Sequence, residues 1–150
     1  MTDVVESFAF DHRTVTAPYV RLCGTWMVAL GVYVTKFDLR FITPNTGAFD
    51  TDGLHSLEHL LAAHMRLHLP GVIDLSPMGC RTGFYLTVNG RLEPHTVEAA
   101  LRQSLLEVTQ ATSVVAANVE QCGNAADHNL EKAQRYAALA LAGLIAASAA

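Results

Sequence analysis

Apolar residues along this chain follow two kinds of pattern. From Tyr19 to Ile42 the residues are rich in Val, Tyr, Phe and Thr, interrupted by Gly24 and Gly31. β-Branched and aromatic side chains fit a pleated, half-buried surface, so this stretch predicts two or three strands joined by tight turns. Pro44-Asn45-Thr46-Gly47 is a turn signal, and Thr51 or Asp52 offers an N-cap for the helix that follows. In that helix Leu54, Leu57, Leu61 and Met65 gather within an arc of about 80°, a stripe that faces a core. Pro70-Gly71 ends it near Leu69. Val72 to Leu75 and Phe84 to Val88 predict short strands, with Ser76-Pro77-Met78-Gly79 as the bend between them. A helix over about Pro94 to Thr109 accepts proline in its first turn, and a last helix covers about Asn129 to Ala147. Strands first, then helices interspersed with strands, predict an α+β fold: a small antiparallel sheet packed with helices in a single domain spanning residues 1–150.

Composition narrows the function classes. A chain of 150 residues, 51% of them hydrophobic, forms one domain with a real core. Its formal charge of -4 gives no basic footprint for nucleic acid or for an acidic membrane surface. The longest apolar run, Tyr136 to Ala150, is mostly alanine and falls short of the ~20 residues a membrane span requires. It reads as a packed terminal helix. Met1 to Glu6 lack a basic and an apolar region of the secretory kind. Cys23, Cys80 and Cys122 are odd in number and form no Cys-x-x-Cys pair, which fits reduced thiols in a cytoplasmic protein.

Candidate chemistry centres on His55-Ser56-Leu57-Glu58-His59. Two histidines four residues apart on a helix lie about 40° apart around its axis, so both imidazoles reach one metal ion. Cys122, in Cys122-Gly123-Asn124, is a candidate third ligand, and three protein ligands leave a position open for catalysis. Glu58 borders the same face, where it can move protons. The bland alternative is a chance pair beside a buried cysteine, and the chain holds a second such pair, His64 and His68. That pair lies about 180° around the helix from the first and has no neighbouring acid of the Glu58 kind, so it reads as structural or solvated. The His-x-x-Glu-His order also matches inverted zinc peptidases, for which Glu131 is a candidate third ligand. Spacing alone leaves these readings open, together with a non-catalytic metal-binding module.

The flanking segments separate them. Val5-Glu6-Ser7-Phe8 with Asp11-His12, Ala17-Pro18-Tyr19-Val20-Arg21, Lys36 to Phe41, His55 to Leu61, Asp74 to Cys80 with Thr82-Gly83, and Cys122-Gly123-Asn124 resemble the S-ribosylhomocysteine lyase (LuxS) family, over roughly residues 4–135. The alanine-rich end lies outside that likeness.

The resemblance implies a small α+β homodimer with two sites at the subunit interface. It implies His55, His59 and Cys122 as metal ligands with water as the fourth, holding ferrous iron that zinc or cobalt can replace. Glu58 and Cys80 fall on the two acid/base positions; Ser7, His12 and Arg40 on positions that contact the sugar; Arg66 and Asp74 on positions near the amino-acid end. The substrate is a thioether of ribose, whose carbon–sulfur bond has no carbonyl beside it. The family moves the sugar carbonyl along the chain in two steps, then eliminates homocysteine and leaves the precursor of autoinducer-2. A divalent ion stabilises the charge formed at each step, and two proton carriers serve different faces of the sugar. Cys80 acts as a base only as a thiolate, which the metal and a cation such as Arg81 favour. Asp74 reads as a buried acid in need of a partner, and Cys23 as packing. His95 and His128 receive no role.

Overall fold

The computed structural model describes residues 4–149; Met1 to Asp3 and the final Ala150 of the alanine tail lie outside the described residues. The chain runs α1 (Glu6–Ala9), β1 (Tyr19–Ala29), β2 (Val32–Arg40), α2 (Thr51–His68), β3 (Val72–Pro77), β4 (Gly83–Asn89), α3 (Pro94–Thr109) and α4 (Leu130–Ala149). The stretch from Tyr19 to Ile42 makes two strands, and α2 and α3 run close to the predicted bounds. Helix α1 has no counterpart in the pattern, since a single turn carries too little periodicity to register.

The four strands form one antiparallel sheet in the order β1-β2-β4-β3. Side chains alternate across it. Phe37, Leu39, Phe84, Leu86 and Val88 turn to one face and are fully buried under the helices. The predicted stripe of α2 (Leu54, Leu57, Leu61, Met65) closes on them, joined by Val97, Leu101 and Leu105 of α3. The alanine-rich α4 belongs to this core: Ala133, Tyr136, Ala137, Ala140 and Leu144 are buried. Small residues bring α4 close to its neighbours, and a Cβ added at Gly53 of α2 would stand 2.5 Å from the Tyr136 ring.

The N-cap of α2 is Asp50 rather than Thr51 or Asp52. Asp52 instead takes an ion pair with Lys132 at 2.9 Å, which ties the start of α2 to α4. No helix among the described residues is long and apolar enough to cross a membrane.

The other face of the sheet carries Asp38 and Arg40 between the core positions of β2. Both are buried there and form a 2.8 Å ion pair, with Arg21 of β1 adding a second cation at 3.3 Å from Asp38. Glu6 of α1 pairs with Arg21 and so pins the N-terminal turn onto this face.

Candidate metal centre

Helix α2 turns its apolar stripe to the sheet, which leaves His55, Glu58 and His59 on its outer flank. The irregular segment 110–129 between α3 and α4 folds over that flank. His55 Nδ1–H donates to the Asp127 carbonyl at 2.9 Å, and His59 Nδ1–H donates to the Val115 carbonyl at 2.7 Å. A carbonyl only accepts, so each Nδ1 holds the proton and each Nε2 keeps a free lone pair, the arrangement that orients histidines toward a metal. The same segment delivers Cys122, whose Sγ lies 3.4 Å from His55 Nε2. The Asn124 N–H, at 3.4 Å, points at that sulfur.

Nitrogen and sulfur ligands around a tetrahedral ion stand about 3.5 Å apart, so this donor set fits a divalent metal. His128 joins it. One ligand atom from each of His55, His59, Cys122 and His128 lies within 4.8 Å of the others. Burial, with His55 and His59 alongside, holds the His128 imidazolium below its ordinary range. The sequence left His128 without a role; its only local signal is its place six residues after Cys122.

Glu58 opens onto a cleft of about 440 Å³ lined by His59, Arg66, Asp74, Val115 and others. Burial pushes its carboxyl above the usual range, against the pull of His55 and His59. Arg66 donates to the carbonyls of Ala62 and Ile73 at 2.7 and 3.2 Å. Asp74 accepts from Ser76 Oγ at 2.8 Å and is exposed on the edge strand β3. The expectation of a buried Asp74 is therefore corrected, because β3 has no neighbour on its outer side. Among the described residues the buried acid is Asp38.

Ser7, His12, Arg40 and Cys80 gather elsewhere, around a second cleft at the β3–β4 turn and the open face of the sheet. His12 Nδ1–H donates to Phe10 O at 2.9 Å, leaving Nε2 as an acceptor. Cys80 Sγ lies 3.1 Å from Thr82 Oγ1 and 3.8 Å from Arg40 Nη1. The cation beside Cys80 is thus Arg40, whereas Arg81 donates to the Phe49 carbonyl at 2.9 Å. Gly83 lets β4 lie close against β2, since a Cβ there would meet Leu39 O at 2.1 Å.

The family model for S-ribosylhomocysteinase (LuxS) matches residues 5–149. This chain belongs to the LuxS family. The match runs through α4, so the alanine-rich end is part of the family domain rather than an appendage. The chain is 52% identical over 137 residues to the S-ribosylhomocysteine lyase of Clostridium botulinum (strain Alaska E43 / Type E3), covering 91% of each chain. It is 53% identical over 134 residues to that of Thermus thermophilus, covering 89% of this chain and 86% of the relative. With the lyase of Clostridioides difficile (strain 630) it shares 50% over 133 residues, 89% of this chain and 88% of the relative.

Within this LuxS chain the peptidase reading finds no support. Glu131 sits in the first turn of α4 and is absent from the donor cluster. The second histidine pair does have an acid, brought from α3: His64 Nδ1 and His68 Nε2 flank the Glu107 carboxylate at 2.7 and 2.8 Å. That carboxyl is held down to about 2, by a Gln103 hydrogen bond first and the histidines next.

Proposed function

We propose that this chain cleaves S-ribosylhomocysteine to homocysteine and 4,5-dihydroxy-2,3-pentanedione, the autoinducer-2 precursor, by carbonyl migration and β-elimination. The observation that carries the reading is a pre-oriented His55, His59 and Cys122 donor set beside Glu58, in a chain of the LuxS family. These three residues hold one divalent ion per subunit, ferrous iron in the cell with zinc or cobalt as substitutes. Such an ion supplies charge stabilisation at a sugar oxygen when the adjacent carbon loses its proton, an effect of several kcal/mol.

The chain's own residues do the rest. Glu58, whose carboxyl burial favours the protonated form, gives and takes protons on one side of the sugar. Cys80 works on the other side, with Arg40 as its cation. Ser7, His12 and Arg40 hold sugar hydroxyls; Arg66 and Asp74 lie where a zwitterionic amino-acid end would dock. All of these belong to one lyase-like domain over residues 1–150.

The two clefts share no lining residue, which supports a homodimer as the working unit, the Cys80 side of one protomer completing the metal side of its partner. Apolar surface supports that assembly: Trp26, Met27, Val28, Leu30 and Val32 of the β1–β2 hairpin, and Phe8 of α1, are exposed. The free thiols Cys23, Cys80 and Cys122 suit a reducing cytoplasm. The deciding experiment incubates anaerobically prepared protein with S-ribosylhomocysteine and titrates released thiol. Stoichiometric homocysteine is expected; a metal-loaded protein that frees none overturns the reading.

A further inference from the structure

His128 is held as firmly as the three ligands, but through a different anchor. Ser56 is fully buried on α2, and its hydroxyl lies 2.9 Å from the Asp52 carbonyl. That carbonyl only accepts, so it takes the hydroxyl hydrogen. Ser56 Oγ is left as an acceptor for its two other partners, the Asn129 N–H at 2.7 Å and His128 Nδ1 at 3.2 Å. His128 Nδ1 therefore carries the proton, and Nε2 turns a free lone pair toward Cys122 Sγ at 3.5 Å. The ring stacks on His55 at 4.1 Å and meets His59 edge-on at 4.7 Å, so it forms a wall of the centre.

A fourth protein ligand would close the site, as in structural metal centres, while the lyase reaction needs a position for a substrate oxygen. We propose that His128 is a positioning residue for that oxygen: Nε2 accepts a hydrogen bond from the hydroxyl-bearing group that occupies the open position. The group is a water in the resting protein and a hydroxyl of the open-chain sugar in the complex. Ser56 acts through His128, by fixing which nitrogen is the acceptor. This rests on the metal and substrate reading above.

The test uses cobalt-loaded protein in the Glu58→Gln background, where turnover is slow enough to titrate S-ribosylhomocysteine against the visible absorption of the cobalt. His128→Phe in that background keeps about one cobalt per chain and binds the substrate at least tenfold more weakly. Ser56→Ala weakens binding in the same direction by a smaller factor. Loss of cobalt from His128→Phe, to the extent seen for His59→Ala, makes His128 a fourth ligand and overturns the proposal. Unchanged cobalt and unchanged substrate affinity make it a packing residue and overturn it equally. If His128→Phe does not fold, His128→Leu, which likewise has no acceptor, is titrated in its place, and a spectrum and affinity like the parent's reject the role. A Glu58→Gln parent whose spectrum ignores the substrate instead refutes the underlying assignment of function.

Discussion

Glu58 and Cys80 line different clefts of one chain. Glu58 stands on the metal-bearing helix with His59, Arg66 and Asp74, whereas Cys80 sits at the β3–β4 turn with Ser7, His12 and Arg40. In the proposed reaction both residues carry protons for one sugar, so the proposal requires a second protomer to bring them into one pocket. Complementation follows. Glu58→Gln and Cys80→Ala chains, each inactive alone, regain about a quarter of wild-type activity after random subunit exchange, because half the dimers are mixed and each has one intact site. Exchange verified by mass spectrometry without recovered activity would falsify the shared site.

The donor geometry makes a direct claim on metal content. The purified protein holds about one divalent ion per chain, and His59→Ala loses most of it. Elemental analysis checks both. The ferrous form loses activity in air, since iron beside the Cys122 thiolate oxidises, while zinc and cobalt forms persist. A full complement in His55→Ala/Cys122→Ala would place the ion elsewhere.

Neither Glu58 nor Cys80 belongs to the donor cluster. Glu58→Gln and Cys80→Ala should therefore retain the metal while turnover falls by about 10² or more, the scale of general acid–base catalysis. Near-normal turnover in Cys80→Ala would reduce that residue to a structural one.

The thiols should react in a set order. Cys80 is exposed, while burial pushes the half-buried Cys23 up to about 12. Iodoacetamide at pH 8 labels Cys80 first in metal-loaded protein, with Cys122 protected until chelation and Cys23 until unfolding. Peptide mapping that finds Cys23 labelled first contradicts the packing described for β1.

Hydrogen bonds from Gln103 first, then His68 and His64, stabilise the Glu107 carboxylate and make stability depend on pH. The Glu107 carboxyl is depressed, so its contribution is complete above the ordinary carboxyl range near 4.5 and is lost as pH falls toward about 2. Glu107→Gln should melt below wild type at pH 6.5, and the two curves should draw together as pH falls through about 2. A gap in melting temperature that is constant across that range would show that the carboxylate charge adds nothing.

Local order was legible in the sequence because it depends on short periods. The stripe of Leu54, Leu57, Leu61 and Met65 and the shared face of His55, Glu58 and His59 follow from 3.6 residues per turn. Proline at the start of α3 and Pro70-Gly71 after α2 mark boundaries by what a backbone lacking an N–H or a Cβ can do. The combination of motifs marked the family before any contact was visible.

Only tertiary packing decided what meets across long stretches of chain. Cys122 reaches His55 from 67 residues away, and His128 reaches Ser56 from 72, because the 110–129 segment folds back over α2. Glu107 supplies the acid that His64 and His68 lack on their own helix. Arg40 rather than its neighbour Arg81 stands by Cys80, because strand alternation points Arg40 and Asp38 to the open face while Arg81 turns back to Phe49. Asp74 is exposed and Asp38 buried for a related reason: β3 is an edge strand, while β2 is flanked on both sides. Periodicity assigns a residue to a face, but what covers that face is settled by the rest of the chain.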